Sequence, residues 1–389
     1  MHRPARGGRS RSRHRDRAHG PRSPRGVPPL SDDRIPSVIL GASGYIGQHF
    51  ARLLTDHPVF ATPTLVATER SEGRTLSDVW QLAEAPPTAL AETKLTKASA
   101  GSLARHGVRV AFSALPSGTA GQIESELARR GVAVFSNAAD HRMDPHVPLL
   151  VPEVNADHLG LVKARGTARS VLVTNPNCSA TGLVLAVAPV RELLKPRAVH
   201  VATYQSLSGA GYPGVPSLAI TDNVVPFIRD EEEKIREESA RILGRRRDRM
   251  IVPSPVPFLA HCVRVATREG HLEAVTIEAT RRPSLTQLEE AWRSFDPLHR
   301  LALPTAPCPP IELRREVDRP QPLRDRWSGH PARARGMAAV VGRIRWTPPF
   351  LRFFVLSHNA VRGGAGASVL NAELAFARGL LGLDGGSRR

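Results

Sequence analysis

One of the three cysteines, Cys178, stands in the run Thr174-Asn175-Pro176-Asn177-Cys178-Ser179-Ala180-Thr181-Gly182, where strand-forming residues stop and a helix begins. The first turn of a helix carries unpaired N–H groups and the positive end of the helix dipole. Both favour a thiolate over a thiol and can hold an oxyanion formed beside it. The Asn177 amide would add a second donor for that oxyanion. A free cysteine is more often a buried, inert residue. Cys262, in a strand-like run, and Cys308, among prolines, fit that description; Cys178 does not.

A second piece of chemistry lies upstream. Val38-Ile39-Leu40-Gly41-Ala42-Ser43-Gly44-Tyr45-Ile46-Gly47 reads as strand, glycine turn and helix start, the opening of a dinucleotide-binding domain. Gly41 permits a tight turn, Gly44 lets backbone approach a phosphate, and Gly47 lets the helix pack close to the sheet. Ser43, Tyr45 and Ile46 complete that cofactor-binding turn, and Ser113, ending a later strand, joins them. The spacing is G-x-x-G-x-x-G rather than G-x-G-x-x-G, so an ordinary glycine-rich turn would look the same in isolation. A nucleotide turn followed by a poised cysteine points to a dehydrogenase working through a thioester. Beyond the next strand, Thr68-Glu69-Arg70-Ser71 bears on the nicotinamide type. Glu69 suits the ribose 2′-OH of NAD, whereas Arg70 and Ser71 suit the 2′-phosphate of NADP, and the reading adopted is NADP.

Among fifteen histidines, His271 is the acid/base candidate. A two-residue turn at Glu269-Gly270 would put Arg264 and His271 on one face of a hairpin. Arg264 would then clamp a substrate carboxylate bidentately while His271 moves protons near the sulfur. A histidine at a strand end is as readily a plain surface residue. Glu231 and Lys234 sit three apart on a helix expected over 230–243 and so share a face, which a solvated charged helix would also show. Arg245-Arg246-Arg247 reads as solvated surface.

The elements that must position these groups alternate. A buried strand at 38–40 leads to a helix over 45–55 with Ile46, Phe50, Leu53 and Leu54 on one face. Strands follow at 65–68, 108–113, 132–135 and 171–174, with a helix running to Arg130, which argues for a parallel sheet. Residues 197–206, 260–267 and 271–278 have strand character with short turns, as in an antiparallel catalytic domain, and 365–381 reads as an Ala/Leu-rich helix packing back on the first domain. No apolar run approaches a membrane span, and the cysteines show no paired spacing; a reduced, cytoplasmic protein without disulfides or a metal site is expected. The net charge of +18 is unevenly placed: residues 1–34 hold ten arginines against Asp16, Asp32 and Asp33. That stretch reads as a disordered basic tail, either solvated or a product of a start assigned too far upstream, rather than a specific nucleic-acid contact.

From about 36 to 377 the chain resembles the aspartate-semialdehyde dehydrogenases of the archaeal and fungal type. The likeness is carried by GASGYIGQHFARLLTDHP, FSNAADHRMDPHVPLLVPEVN, TNPNCSATGLVLAVAP, YQSLSGAGYPGVPSLAITDNVVPFIRDEEEKI and LSHNAVRGGAGASVLNAEL, with DRPQP and GRIR between. The resemblance implies a Rossmann-like NADP-binding domain over 35–177, completed by a C-terminal helix over 361–385. It implies an α+β catalytic and dimerisation domain with a mostly antiparallel sheet over 178–360. It further implies reduction of L-aspartyl 4-phosphate by NADPH to the semialdehyde with release of phosphate, on the route to lysine, threonine, methionine and isoleucine, in a homodimer or homotetramer.

Carried over residue by residue, Cys178 resembles the nucleophile, His271 the acid/base, and Gln205 the group that positions the thioester carbonyl. Arg142 and Lys234 resemble the phosphate contacts, with Asn177 beside the substrate. Arg264 resembles the α-carboxylate clamp and Glu231 the partner of the substrate ammonium. Ser208 and Gly209 join the cofactor contacts, and Asn359 with 363–366 resembles the segment that closes over the nicotinamide. The chain departs from the family in Val263-Arg264-Val265-Ala266 for the usual Asn-Arg-Val-Pro, in Ser206 for an alanine and in Ala180 for a threonine. Malonyl-CoA reductase, on the same scaffold, is the nearest rival and would not need Glu231. N-acetyl-glutamyl-phosphate reductase is more distant, and a silent nucleotide- or nucleic-acid-binding paralogue would not need Cys178 or His271.

Overall fold

A computed structural model of the chain describes residues 34–164 and 170–381. All but the last residue of the expected basic tail, and residues 382–385 of the expected C-terminal helix, lie outside the described residues.

Five short strands form the first sheet: β1 (Ser37–Leu40), β2 (Thr64–Val66), β3 (Val110–Ser113), β4 (Ala133–Ser136) and β5 (Leu172–Thr174). All neighbours are parallel, in the order β2-β1-β3-β4-β5. β1, β3 and β4 are buried along their whole length, as expected of strands covered on both faces. The expected strands at 65–68 and 108–113 are shorter in the fold, because residues 67–68 leave the sheet after β2 and pairing with β1 begins at Val110. The first helix, Tyr45–Leu54, drives Phe50 and Leu54 into this core, where Phe50 meets Phe112 at 5.4 Å between ring centroids. The C-terminal helix, Gly366–Ala377, returns to the same core with Val369, Leu370 and Leu374. Its Glu373 is fully inside, 2.9 Å from His57 Nε2 and accepting the Thr305 N–H at 3.0 Å.

The second sheet holds β6 (Pro196–Gln205), β9 (Phe258–Arg264), β10 (His271–Ala279), β11 (Ile311–Arg314), β12 (Ala339–Thr347) and β13 (Phe350–Ser357), while β7 (Arg245–Arg247) and β8 (Met250–Val252) form a separate exposed ribbon. Its order is β11-β12-β13-β10-β6-β9, with three antiparallel neighbour pairs and a parallel pair at each edge. The expected hairpin between Arg264 and His271 is therefore corrected: β6 lies between their strands. The six-residue link over 265–270 arches across the end of β6 and is pinned there, with the Leu207 and Ser208 N–H groups donating to the Thr267 and Arg268 carbonyls at 2.7 and 3.1 Å. Local spacing could not reveal this, since strand order depends on pairing with a distant segment.

Against the second sheet packs the cysteine helix, Cys178–Leu194. Leu183, Val184, Leu185, Ala186, Val187, Val190 and Leu194 are all inside, so the helix is buried on every side from Ser179 to Val187, meets solvent near its end at Arg191 and Glu192, and serves as the beam of the second core. Trp292, fully buried, donates its indole N–H to the Ala186 carbonyl at 2.8 Å and locks a further helix, Leu285–Arg293, against that beam.

Candidate active site

Cys178 is the first residue of its helix, and Asn177 caps that helix: its Oδ1 accepts the Ser179 and Ala180 N–H groups at 2.9 and 3.1 Å. Cys178 is partly exposed as a residue, and its sulfur lies 3.1 Å from His271 Nε2. His271 opens β10 and is fully buried; its Nδ1 faces the Ser206 N–H at 3.1 Å. An N–H aimed at Nδ1 makes that nitrogen the acceptor, so in the neutral ring the proton sits on Nε2, facing the sulfur. Burial, reinforced by the Arg264 charge, pushes the His271 pKa down to about 3. Burial and the Glu231 carboxylate push the Cys178 thiol up to about 12, against the pull of Arg142, Arg264 and the Ser179 N–H. The resting pair is thus a neutral thiol and a neutral imidazole.

The acidic helix, Glu231–Ile242, supplies the floor beside this pair. Glu231 is buried, and its Oε1 accepts from both Asn177 Nδ2 at 2.9 Å and Gln205 Nε2 at 2.8 Å. The amide that sequence reasoning offered to an oxyanion is therefore engaged by Glu231, and the nearby donor left open is the Cys178 N–H, which has no acceptor among the described residues. Glu231 Oε2 makes no hydrogen bond among the described residues, and neither does the half-buried Lys234 side chain. One turn on, Glu238 joins two parts of the site. Its Oε1 takes Arg142 Nη1 at 3.1 Å, and its Oε2 takes the Asn177 N–H. Arg142 is further held by the Asn137 carbonyl at 2.6 Å.

Arg264 ends β9 and is buried, donating from Nη1 to the Ser206 carbonyl at 2.8 Å. Gly209 leaves the space it needs: a Cβ there would stand 2.7 Å from Arg264 Nη1 and 3.0 Å from His271 Cε1. Asn359 ties this corner together. Its Oδ1 accepts the Ser206 hydroxyl at 3.1 Å and the Gly270 N–H at 2.9 Å, and its Nδ2 donates to the Ser208 hydroxyl at 2.9 Å. Gly363 closes the other side, where a Cβ would come within 2.6 Å of the Cys178 Cβ.

The nucleotide turn lies at the head of β1. Gly41 has φ +80°, and a Cβ on Gly47 would sit 2.1 Å from the Gly41 carbonyl oxygen, so the helix packs directly on the turn. Gly44, exposed, stands at the N-cap with no side-chain cap. The Ser43 carbonyl accepts Gln48 Nε2 at 3.0 Å, and Ile46 Cδ1 would lie 3.1 Å from a Cβ on Gly364. Tyr45 donates its hydroxyl to Glu269, one residue short of the Gly270-His271 corner. Ser113 ends β3, its carbonyl taking both the N–H and the side-chain amide of Asn137. Glu69, Arg70 and Ser71 form one exposed or half-exposed 3-10 turn in which Glu69 pairs with Lys97.

The fold thus gathers Cys178, His271, Gln205, Asn177, Glu231, Arg264, Ser208, Gly209 and Asn359 into one connected corner, with Arg142 joined through Glu238. The glycine turn, Arg70 and Ser71 belong to the first sheet. Glu238, Ser206 and Glu269 were missed by sequence reasoning. Glu238 had a signal, since Glu231, Lys234 and Glu238 fall at helical spacing on one face. The other two act through backbone and a distant tyrosine, which no local spacing records.

With this geometry in hand, the comparisons with known proteins are specific. Residues 37–162 match the family described as semialdehyde dehydrogenase, NAD binding domain, and 187–362 the semialdehyde dehydrogenase dimerisation domain. An aspartate-semialdehyde dehydrogenase of Archaeoglobus fulgidus is 44% identical over 343 residues, 86% of this chain and 96% of that protein. The chain belongs to the aspartate-semialdehyde dehydrogenase family. In the same family a solved structure from Candida albicans, described as aspartate semialdehyde dehydrogenase with NADP, aligns with a TM-score of 0.79 at 32% identity, covering 89% of this chain and 99% of that one. A malonyl CoA reductase (NADP) of Metallosphaera sedula is similar at 36% identity over 89% of this chain and 98% of its own length. No helix among the described residues is long and apolar enough to cross a membrane.

Proposed function

We propose that the chain reduces L-aspartyl 4-phosphate to L-aspartate 4-semialdehyde with NADPH, releasing phosphate through a thioacyl intermediate on Cys178. The observation that carries this reading is the Cys178–His271 contact of 3.1 Å, set beside one free carboxylate oxygen on Glu231 and the Arg264 guanidinium. A substrate with an ammonium and a carboxylate on one carbon needs that pair of opposite charges. Malonyl-CoA, with no ammonium, does not.

Cys178 loses its proton to solvent and reacts as the thiolate at the acyl carbon, where sulfur–carbon bond formation expels phosphate toward Arg142 and Lys234. The Cys178 N–H faces the carbonyl oxygen as its charge grows, and Gln205, its amide held by Glu231 and Thr203, positions that carbonyl from the side. NADPH, when bound, supplies the hydride that takes the thioester to the aldehyde level. His271 keeps its Nε2 proton in a hydrogen bond to the sulfur as the thiolate is expelled, while Arg264 and Glu231 hold the amino-acid end. The residues present fit that cofactor. The turn at Gly41 and Gly47 has no room for side chains, the first helix offers uncapped N–H groups to a pyrophosphate, and Gly363 brings backbone against Cys178. Because Glu69 is already paired with Lys97, Arg70 and Ser71 are the groups left for a 2′-phosphate.

The nucleotide half is read as 35–177 completed by the C-terminal helix and the catalytic half as 178–360. Assembly as a homodimer or homotetramer in the cytoplasm completes the reading. The test is phosphate-dependent oxidation of L-aspartate semialdehyde, following reduced cofactor with NADP and NAD in parallel and Cys178→Ala as control. Turnover with NADP that the variant loses supports the proposal. A folded protein active only on malonyl-CoA overturns it.

A further inference from the structure

A cavity of about 530 Å³ lies apart from the reaction corner, between the C-terminal half of the first helix, residues Ala85 and Pro87, and the segment that carries Trp327 and Arg335. Its size is that of a small-molecule site. Its walls hold three guanidinium groups, Arg52, Arg333 and Arg335, together with His49 and Trp327, and no acidic side chain.

The three cations are not equally engaged. Arg333 is spent on the end of the first helix, donating to the Leu53 and Asp56 carbonyls at 3.1 and 2.8 Å. Arg52 lies 5.6 Å from the centre of the Trp327 ring, with Nη1 3.2 Å from a Glu84 oxygen but in no hydrogen bond. Arg335 is exposed, lies 5.2 Å from the same ring, and makes no hydrogen bond or ion pair among the described residues. Of the two guanidinium groups on one indole, Arg52 has a carboxylate, Glu84, as counter-charge and Arg335 has none among the described residues. His49 is only 2% exposed, its Nε2 is closed off from solvent, and its ring packs edge-on against Tyr45 and His358, so it forms wall rather than a hydrogen-bonding group. Burial and the Arg52 charge hold it neutral, its pKa pushed down to about 3, so it adds no fourth charge.

We propose that this cavity binds a compact, multiply charged anion bearing carboxylate or phosphoryl oxygens, which Arg335 and Arg52 pair with and Trp327 walls on its apolar side. Guanidinium forks suit either oxygen type, and the two sources are separated by the probes.

The experiment titrates the full-length protein with citrate and, separately, with pyrophosphate at ionic strength held constant with sodium chloride, reading tryptophan fluorescence and melting temperature. At least one probe gives a saturable fluorescence change with a Kd below about 1 mM. Citrate alone assigns a carboxylate ligand, pyrophosphate alone a phosphoryl one, and both together a site that reads charge only. Arg335→Gln, an exposed residue with no hydrogen bond or ion pair to lose among the described residues, weakens the response at least about tenfold, the scale of one charge-assisted contact. Trp327→Phe removes the optical signal while the ligand still raises the melting temperature. No saturable change up to about 10 mM overturns the proposal. So does a response that Arg335→Gln keeps, or one that is lost instead in Arg142→Lys, which would place the anion at the reaction corner.

Discussion

Two helices leave the same end of the parallel sheet, one after β1 and one after β5, and their first turns are built in opposite ways. The first helix begins at Gly44, exposed and extended at φ −81°, with no side chain on its free N–H groups. The cysteine helix begins at Asn177, whose amide oxygen fills two of them and whose amide nitrogen is held by Glu231. Both have the same dipole, so the dipole alone assigns neither role. What differs is occupancy. An open first turn suits a phosphate that arrives and leaves with each turnover, whereas a filled one fixes the backbone under a residue that must make and break a covalent bond.

The sharpest blow to the filled start is Cys178→Ala. Turnover falls at least about 10⁴-fold, as when a nucleophile is removed from a machine that works as a unit, while the melting temperature moves by no more than about 3 °C. Steady-state kinetics and a thermal melt measure both, and activity above one-hundredth of the parent would break the nucleophile assignment. Next in size is the pH dependence of Cys178 alkylation by iodoacetamide. A thiol whose pKa is raised to about 12 stays mostly protonated across the working range. The reactive thiolate therefore grows with pH and is lost as pH falls, and the rate climbs about tenfold per unit from pH 6 to 9. A plateau below pH 8 would mean a thiolate–imidazolium pair instead.

At the open start the comparison can be sharpened by closing it. Gly44→Asp places a carboxylate on the free N–H groups. It raises the KM for NADPH about tenfold, leaves kcat within about twofold, and steadies the helix by a few tenths of a kcal/mol. Cofactor titration in steady state checks this, and an unchanged KM would mean that the phosphates do not use this turn. The smallest effect comes from uncapping the other helix. Asn177→Ala costs about 1 kcal/mol in urea unfolding. Equal stability to the parent would show that Glu231 and water replace the cap.

Both starts were legible in the sequence because each is written in adjacent residues: strand, punctuating Gly or Pro-Asn, then apolar helix. The fold around them was legible in kind, since β1 to β5 and the first helix follow periodicities that survive in the structure with ends moved by a residue or two. The corner that joins Arg264 to His271 was not. Its geometry comes from β6 lying between β9 and β10, and nothing in residues 258–279 states which distant strand will intervene. The same limit hid Ser206, which meets His271 Nδ1 with both its main-chain N–H and its hydroxyl, at 3.1 and 3.2 Å. Arg264 was named from chemistry, through a hairpin the fold does not have, whereas Glu231 and Lys234 were picked out by helical spacing and owe their roles to the family resemblance, since a charged helix face would look the same.

The C-terminal helix has a consequence for how the protein is made. Val369, Leu370 and Leu374 fill the core that residues 35–173 begin, and Glu373 satisfies His57 and Thr305 inside it. During synthesis the first half emerges roughly 200 residues before the part that completes it, about 10–40 s at ordinary elongation rates. For that interval an apolar groove beside the first helix stands open to the ribosome's surroundings, and the nucleotide half matures only once residues 366–377 have emerged. A truncated chain ending before residue 366 is therefore expected to behave as a chaperone client rather than as a smaller nucleotide-binding protein.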